Sequence, residues 1–393
     1  MTQFLDHIQA ALPDDAAQAS LAGRVWRPDR SGPSVVAIRG DRAVDISPRY
    51  PTMRDLCETA DPAAALQAAA GEPVGSLTEV LANTPHDTRD PAKPWLLTPI
   101  DLQAIKAAGV TFAISMLERV IEERARGDLH AAGAIRQEVT RLVGDDLSKL
   151  RPGSAEAMRL KEVLIQQDAW SQYLEVGIGP DAEIFTKSQP MAAVGTGMDA
   201  GIHPNSAWNN PEPEVVLAVS STGRIVGATL GNDVNLRDVE GRSALLLGKA
   251  KDNNASCAIG PLLRFFDAGF NLNDIRTTTV TLRVDGPEGF MMEGSSSIAK
   301  ISRDPADLVA QMVNAHHRYP DGAVLFLGTM FAPIQDRDAP GQGFTHKYGD
   351  IVTIAAPNLG RLVNRMQPTD RCEPWTFGPG ALMRNLAARG LFR

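Results

Sequence analysis

The sequence predicts an α+β fold in which a β-rich core follows a helical insertion. Short strand-like runs alternate with Gly, Pro and Asp turns over residues 21–50. Apolar residues then recur at four-residue spacing among Glu and Arg over residues 101–173, which is typical of amphipathic helices. From Gly177 to about Gly360 the chain returns to short strand-like runs separated by Gly and Pro turns. This order of patterns favours α+β over a regular βαβ alternation.

These changes in pattern divide the chain of 393 residues into two expected domains. Residues 1–95 are predicted to form a small β-rich N-terminal domain plus a linker. Residues 96–393 are predicted to form the main domain, with a helical segment at 101–173 and a core at 177–364. Since 43% of the residues are hydrophobic, the chain has enough apolar surface for a large core.

Local patterns predict the elements in each part. Residues 35–38 and 43–46 are the strand-like runs of the N-terminal domain. The Ala- and Pro-rich stretch 60–94 contains several Pro breaks, and we interpret it as a helix and a linker. One helix should interrupt the strands of the core, because Asp304 and Pro305 provide an N-cap and a first-turn proline. We expect that helix to end by residue 320.

Composition and charge exclude several classes of partner. The formal net charge of −8 argues against nucleic acid or an anionic membrane as the partner. The three cysteines, Cys57, Cys257 and Cys372, lie far apart in the sequence, which fits a reducing compartment and no disulfide framework. The N-terminus lacks the basic and apolar regions of a leader, and no apolar run reaches about 18 residues. We therefore expect a cytoplasmic protein with a small-molecule partner.

Residues 208–238 predict a β-hairpin that carries three acids on one face. Glu212 and Glu214 are two residues apart at the start of an apolar run, so both side chains point to the same side of a strand. The Ser-Ser-Thr-Gly sequence at 220–223 provides the turn. With a two-residue turn at the last two of these positions, Asp233 lies opposite Glu212. A slip of one residue would move Asp233 to the other face.

Three carboxylates on one patch predict a bound metal ion. Without a cation they would repel one another and raise each other's pKa. All-oxygen ligation favours a hard divalent ion, Mg²⁺ with Mn²⁺ or Ca²⁺ as alternatives, over zinc. Glu212, Glu214 and Asp233 are therefore the predicted metal ligands.

Two further segments contain charged residues that allow two interpretations each. Glu183 and Lys187 share one face of a predicted strand, either as a surface ion pair or as an acid and a cation directed at the metal site. Lys249 and Lys251 follow the hairpin in a loop of small and polar residues. They are either surface lysines, or one of them moves a proton or stabilises negative charge near the metal.

A third segment ends an apolar strand with Gly328 and Thr329. Glycine there would allow the backbone to approach a ligand closely, and Thr329 would then bind a substrate carboxylate. A simple strand-end turn is the alternative. The seven histidines show no metal-ligand spacing. The sequence also lacks a Gly-rich phosphate loop in a strand-turn-helix context and a GxSxG elbow.

Together these segments resemble the fumarylacetoacetate hydrolase superfamily. PEPE with its apolar strand, GNDVNLRD, KDNNASCAIGP and FLGT occur in the order and spacing of that superfamily between residues 98 and 364. Within it the chain is similar to the 2-keto-3-deoxy-pentonate dehydratases, on GVTFAISMLERVIEERARGD, GPDAEIFTK and FTHKYGDIV. The resemblance implies that the main domain is catalytic and adopts the mixed β-sandwich roll of the superfamily, in a homodimer or homotetramer.

The resemblance also implies a Mg²⁺-dependent hydro-lyase and a set of site residues. These are the metal ligands Glu212, Glu214 and Asp233, the catalytic residues Lys251 and Glu183, and the substrate-binding residues Thr329 and Lys187. The implied substrate is 2-keto-3-deoxy-D-xylonate or an epimer, and the product is 2-oxoglutarate semialdehyde. The metal would acidify the C3 protons, and Lys251 or Glu183 would be the base. We expect the pKa of the lysine to be lowered by burial beside the cation.

Two departures from the superfamily pattern bear on the chemistry. The hydrolases pair a histidine with a glutamate to activate water, and no histidine occupies a matching position here, which argues against hydrolysis. The dehydratases have a glutamate where this chain has Ala113, and Glu118 and Arg119 are the candidates to replace it. Two other functions stay open, a metal-dependent hydrolase or decarboxylase of an acylpyruvate or diketo acid and a non-catalytic module stabilised by Ca²⁺.

Overall fold

Two mixed β-sheets packed face to face form the core of the protein. The computed structural model describes residues 2–126, 128, 150–166, 170–331, 333, 335–339 and 343–392. In that part of the chain strands predominate and the helices are short. The predicted α+β fold with a β-rich core is therefore confirmed.

The described strands are β1 (Leu21–Arg27), β2 (Gly32–Arg39), β3 (Arg42–Asp45), β4 (Glu72–Ser76), β5 (Trp95–Leu97), β6 (Ala104–Gly109), β7 (Glu183–Ser188), β8 (Asp199–Ile202), β9 (Asn209–Asn210), β10 (Pro213–Val219), β11 (Ile225–Asp233), β12 (Asn235–Leu236), β13 (Cys257–Phe265), β14 (Thr279–Asp285), β15 (Met291–Ser297), β16 (Ala323–Phe326), β17 (Ile351–Ala356) and β18 (Gly360–Pro368). The larger sheet has the order β4-β3-β2-β1-β13-β11-β10-β16-β6-β7, with β5 paired to β1. The smaller sheet has the order β15-β14-β17-β18-β8, and β12 pairs with β9.

The described α-helices are α1 (Thr2–Gln9), α2 (Met53–Cys57), α3 (Pro62–Ala68), α4 (Leu77–Ala82), α5 (Ala113–Ala125), α6 (Ala155–Gln166), α7 (Gln172–Ile178), α8 (Arg237–Glu240), α9 (Leu247–Lys251), α10 (Leu272–Thr277), α11 (Pro305–Met312) and α12 (Pro379–Ala388). Within the described residues, none of these helices is long and apolar enough to cross a lipid bilayer.

Strand β10 lies at the centre of the larger sheet and is buried along its whole length. Val215 and Leu217 belong to the same buried apolar cluster as Leu282 and Ile354 of the smaller sheet. Val216, on the opposite face, packs into a second apolar cluster. A strand covered on both faces must be apolar at every position, which explains the uninterrupted run that follows Glu214.

The N-terminal strands continue the larger sheet. Strand β1 pairs with β2 on one side and with β13 on the other, and β5, at 95–97, pairs with β1. The boundary expected at residue 95 therefore lies within a sheet. The stretch 60–94, expected to be a helix and a linker, contains the helices α3 and α4 and the edge strand β4.

The predicted helical segment 101–173 is helical in α5, α6 and the start of α7. Its first part is wrong, because residues 104–109 form β6, which lies between β16 and β7. A short apolar run does not distinguish a buried strand from a helix by periodicity alone. Residues 127, 129–149 and 167–169 of the predicted segment lie outside the described residues. The Asp304 cap is confirmed, since its side chain accepts a hydrogen bond from the Ala306 N–H at 2.8 Å, but α11 ends at Met312.

A substitution at Gly231 should test the pairing of β10 with β11. A Cβ at this position would lie 2.2 Å from the Phe326 ring and 2.6 Å from a Val216 methyl group. We expect Gly231→Ala to lower the free energy of unfolding by about 3 kcal/mol through overpacking. Gly248→Ala is the control, because its Cβ meets nothing within 4 Å and the residue is helical, so a gain of roughly 0.5 kcal/mol is expected. Urea denaturation measures both. Equal effects of the two substitutions would contradict the packing of this hairpin.

Candidate active site

The three acids predicted to bind metal converge at one end of the β10–β11 hairpin. Glu214 pairs with Gly231, and the Asp233 N–H donates to the Glu212 carbonyl oxygen at 3.1 Å, so Asp233 lies opposite Glu212. One carboxylate oxygen of each acid lies within 4.8 Å of the others. All three side chains are buried. The hairpin pattern therefore predicted their meeting correctly, and metal binding by them stays a prediction.

The hairpin reaches this register through a turn that differs from the expected one. The loop contains three residues, 221–223, closed by a hydrogen bond of 2.9 Å from the Ser220 N–H to the Arg224 carbonyl oxygen. Gly223 has a φ of +83°, as this loop type requires at its last position. A bulge after Ala218 then shifts the pairing by one residue. The extra loop residue and the bulge each shift the register by one residue, and these shifts cancel. The three acids therefore lie on the expected face of the hairpin.

Burial and mutual repulsion dominate the electrostatics of the acids. Burial, together with the charges of Asp233 and Glu212, raises the pKa of Glu214 well above its usual range. The Gly328 N–H opposes this shift by donating to Glu214 Oε2 at 2.6 Å. Burial also acts to raise the pKa of Asp233, but two neighbouring lysines outweigh it and lower that pKa.

Lys251 bridges two of the three acids. Its Nζ donates to Glu212 Oε2 at 2.6 Å and to Asp233 Oδ2 at 3.1 Å. Burial acts to lower the pKa of this ammonium group, but Asp233 and Glu212 outweigh burial and raise the pKa above its ordinary value. The protein groups around Lys251 therefore raise its pKa, whereas the sequence analysis expected a lowered pKa. Lys249, on the same short helix, is exposed and lies outside the cleft.

Lys187 is not among the residues that line the cleft, and its expected role in binding substrate stays a prediction. Its side chain is 0% exposed. Its Nζ lies 2.9 Å from Asp233 Oδ1 and donates to the carbonyl oxygens of Val234, at 3.1 Å, and Lys251. Lys187 lies at a β-bulge, where the pairing of β7 with β6 shifts between Ser188 and Thr186. Lys187 instead holds together the segments that carry Asp233 and Lys251.

Glu183 does line the cleft, at the start of β7 and opposite Gly109. A Cβ at position 109 would lie 2.0 Å from Glu183 Oε2, so glycine provides the space for this carboxylate. Burial, with a contribution from Glu240, raises the pKa of Glu183 to about 7. A carboxyl group with that pKa exchanges protons readily near neutral pH. Phe185 lines the same cleft, with its ring centroid 5.8 Å from Lys251 Nζ.

The turn after β16 forms another wall of the cleft. Gly328 has a φ of +84°, and a Cβ there would lie 2.1 Å from Thr111 Oγ1, so both conformation and space require glycine. Thr329 follows it and lines the cleft. Its Oγ1 accepts a hydrogen bond from the Phe331 N–H at 3.1 Å and keeps a hydroxyl hydrogen to donate.

Four charged residues form a second cluster along the cleft, and we call them the charged rim: Glu118, Arg119, Arg237 and Glu240. Arg119 contacts the Glu212 carboxylate and lies 2.8 Å from Glu240 Oε2. Arg237 lies 3.4 Å from Glu118 Oε2, and its guanidinium group stacks on Trp208 at 4.3 Å. The sequence analysis identified Glu118 and Arg119, on α5, as candidates. It missed Arg237 and Glu240, on α8, because a helix of four residues is too short to show helical periodicity.

The protein groups fit a divalent cation at the triad. Five carboxylates and three cations lie around it, which leaves two negative charges: Glu183, Glu212, Glu214, Asp233 and Glu240 against Lys187, Lys251 and Arg119. The pair of Glu118 and Arg237 adds no net charge. Carboxylate oxygens are the donors that Mg²⁺ prefers. The cleft is narrow, with a cavity volume of about 40 Å³.

Comparison with known proteins finds a family model that matches part of this chain. Residues 215–367 match the family model described as fumarylacetoacetate (FAA) hydrolase C-terminal, which confirms the resemblance over those residues. A 2-dehydro-3-deoxy-D-arabinonate dehydratase of Saccharolobus solfataricus is 30% identical over 181 residues, which cover 46% of this chain and 57% of the relative. A probable 2-keto-3-deoxyxylonate dehydratase of Haloferax volcanii is 29% identical over 192 residues, which cover 49% of this chain and 62% of that relative. The chain thus spans less than two thirds of either relative.

Solved structures share the fold over most of the chain. A 2-keto-3-deoxy-D-arabinonate dehydratase complexed with magnesium and 2,5-dioxopentanoate has a TM-score of 0.61 and 21% identity, covering 88% of this chain and 99% of that chain. A fumarylacetoacetate hydrolase from Exiguobacterium antarcticum has a TM-score of 0.53 and 16% identity, covering 89% of this chain and 100% of that chain. The expected fold of the superfamily is therefore confirmed.

Metal binding should stabilise the protein through the acid triad. We expect Mg²⁺ at about fifty times its dissociation constant to raise the free energy of unfolding of EDTA-treated protein by about 2 kcal/mol. Thermal melting with and without Mg²⁺ measures this effect. Glu214→Gln should abolish it, because one ligand charge is lost. Glu293→Gln, at an exposed position on β15, should keep it. A melting temperature that does not change when Mg²⁺ is added would contradict metal binding at this site.

Glu183 should make metal-free stability depend on pH. Its pKa of about 7 in the folded protein exceeds the ordinary value of 4.5, so ionisation destabilises the folded state as the pH rises between these values. Glu183→Gln should therefore melt about 2 °C higher than wild type near pH 8, and at nearly the same temperature near pH 4.5. Melting in EDTA across this range measures the difference, with Glu293→Gln as the control. A variant that is less stable near pH 8 would show that the carboxylate is stabilising.

Proposed function

We propose that this chain is a Mg²⁺-dependent dehydratase, a hydro-lyase that converts 2-keto-3-deoxy-D-xylonate or an epimer to 2-oxoglutarate semialdehyde and water. One observation carries the proposal. A buried acid triad, a lysine that bridges two of its members and a carboxyl group with a pKa near neutrality line a single cleft. The names of the relatives in Saccharolobus and Haloferax support the same substrate class.

Glu212, Glu214 and Asp233 would hold the cation beside the keto-acid end of the substrate. When bound, a divalent cation supplies Lewis-acid polarisation of the keto group, which makes the C3 protons more acidic. Thr329 lies on the wall next to Glu214, where its hydroxyl can donate to the substrate carboxylate. Lys187 acts from behind the site by fixing Asp233 and the backbone of Lys251.

Glu183 and Lys251 are the groups positioned to move protons. Glu183 takes one proton from C3, and the electron pair of that C–H bond forms the C3–C4 double bond. The C4–O bond breaks, and the Lys251 ammonium group donates a proton to the departing hydroxyl, which leaves as water. Moving a proton from C5 to C3 gives the C4–C5 enol, which tautomerises to the aldehyde. The overall change is the loss of one water molecule.

Hydrolysis of an acylpyruvate or diketo acid is the alternative that shares the metal and the keto-acid end. It needs a group that activates water, which the hydrolases provide with a histidine. Among the described residues that line the cleft there is no histidine. His346, in the FTHKYGDIV segment, is buried with its Nδ1 2.9 Å from Asp350 Oδ2 and lies away from the cleft. The lining therefore favours dehydration.

A coupled assay tests the proposal. Purified protein freed of metal with EDTA is mixed with 2-keto-3-deoxy-D-xylonate, and an aldehyde dehydrogenase with NAD⁺ reports the semialdehyde. We expect activity only when Mg²⁺ is added, and a loss of at least about a hundredfold in kcat for Lys251→Met. Lys249→Met is the matched control, because this lysine is exposed two residues away, and it should retain the wild-type rate. Pyruvate release from an acylpyruvate without any semialdehyde would support the hydrolase instead.

A further inference from the structure

We propose that the charged rim makes this cleft selective for keto acids whose far end is uncharged, and that it excludes dicarboxylates of the same length. The inference rests on the proposed function for one point, namely that the keto-acid end of the ligand lies at the acid triad. It concerns the residues that meet the other end.

Each of the three cations that the described cleft lining contains is already paired with a carboxylate. Lys251 contacts Glu212 and Asp233. Arg119 contacts Glu212 and Glu240. Arg237 is paired with Glu118 and has its guanidinium face on Trp208. A carboxylate at the charged rim would have to compete with the carboxylate that is already paired with Arg119 or Arg237.

The balance of charge makes that competition unfavourable. With a divalent cation at the triad the surrounding protein charges sum to zero, and the first carboxylate of a keto acid brings the site to one negative charge. A second carboxylate would lie among Glu118, Glu183 and Glu240, which all line the cleft. Like charges within a few ångströms in a partly buried site repel strongly. Repulsion of this kind rejects a wrong ligand more effectively than small differences in contact.

Two neutral hydrogen-bonding side chains also line the cleft and suit hydroxyl groups. Ser115 lines the cleft, and its Oγ donates to the Phe112 carbonyl oxygen at 2.9 Å, so its lone pairs can accept from a ligand. Asn210 also lines the cleft and uses one side-chain N–H on the Pro211 carbonyl oxygen at 3.0 Å, which leaves the other N–H to donate. A polyhydroxylated tail finds a donor and an acceptor there without adding charge.

The test compares two ligands that differ only at the far end. 5-Hydroxy-2-oxopentanoate and 2-oxoglutarate have the same five-carbon keto-acid skeleton, with a hydroxyl or a carboxylate at C5. Isothermal titration calorimetry of the wild-type protein in saturating Mg²⁺ gives both dissociation constants without any turnover. We expect the hydroxy acid to bind at least about tenfold more tightly. A smaller ratio, tighter binding of 2-oxoglutarate or binding of neither ligand would overturn the inference.

A substitution in the charged rim tests the cause. Glu118→Gln removes the carboxylate partner of Arg237, so the affinity for 2-oxoglutarate should rise about tenfold while that for the hydroxy acid changes by less than about twofold. Glu156→Gln, on the exposed side of α6, should leave both constants unchanged. An unchanged ratio in a folded Glu118→Gln variant would overturn the role of the rim. Because these measurements report binding, they stay separate from the coupled assay, whose failure with normal keto-acid binding would overturn only the proposed reaction.

Discussion

Three carboxylates buried within 4.8 Å of one another are the constraint on which the rest of this site depends. Buried like charges are costly unless cations and hydrogen bonds offset them. Lys251 and Arg119 approach the triad from the cleft, Lys187 approaches from behind, and the Gly328 N–H donates to Glu214. Lys251 lies on α9, Arg119 on α5 and Lys187 on β7, and Gly328 follows β16, so parts of the chain far apart in sequence meet at the triad. Glu183 and Glu240 bring the sum of the charges around the triad to two negative charges, which a divalent metal ion would neutralise.

Much of the site could be predicted because it depends on local rules. Alternation along a strand brought Glu212 and Glu214 to one face, and pairing across the hairpin added Asp233. The predicted register of the hairpin was correct although the predicted turn was wrong, since the extra loop residue and the bulge compensate each other. The choice of Lys251 over Lys249 came from the resemblance, and helical geometry explains it, because residues two apart on a helix face nearly opposite directions.

What the sequence could not predict depends on non-local structure. Lys187 lies at a bulge that arises only when β7 pairs with β6. The segment 104–109 is a strand because a parallel neighbour, β16, accepts it, and its own small residues do not indicate this. The N-terminal strands likewise join the larger sheet because β1 pairs with β13, a strand far away in the sequence. Arg237 and Glu240 become part of the cleft only through their contacts with α5, far away in the sequence.

The fold alone does not determine the reaction, because one fold can host several chemistries and the residues of the site decide between them. The central claim is that this cleft, loaded with Mg²⁺, removes water from a 2-keto-3-deoxy-pentonate. Proton NMR of the products formed from 2-keto-3-deoxy-D-xylonate in D₂O, with Mg²⁺ and with EDTA, tests it most directly. The account predicts one equivalent of 2,5-dioxopentanoate that carries solvent deuterium on carbon, formed only with Mg²⁺. Unchanged substrate with Mg²⁺ present, or cleavage to pyruvate, would contradict it.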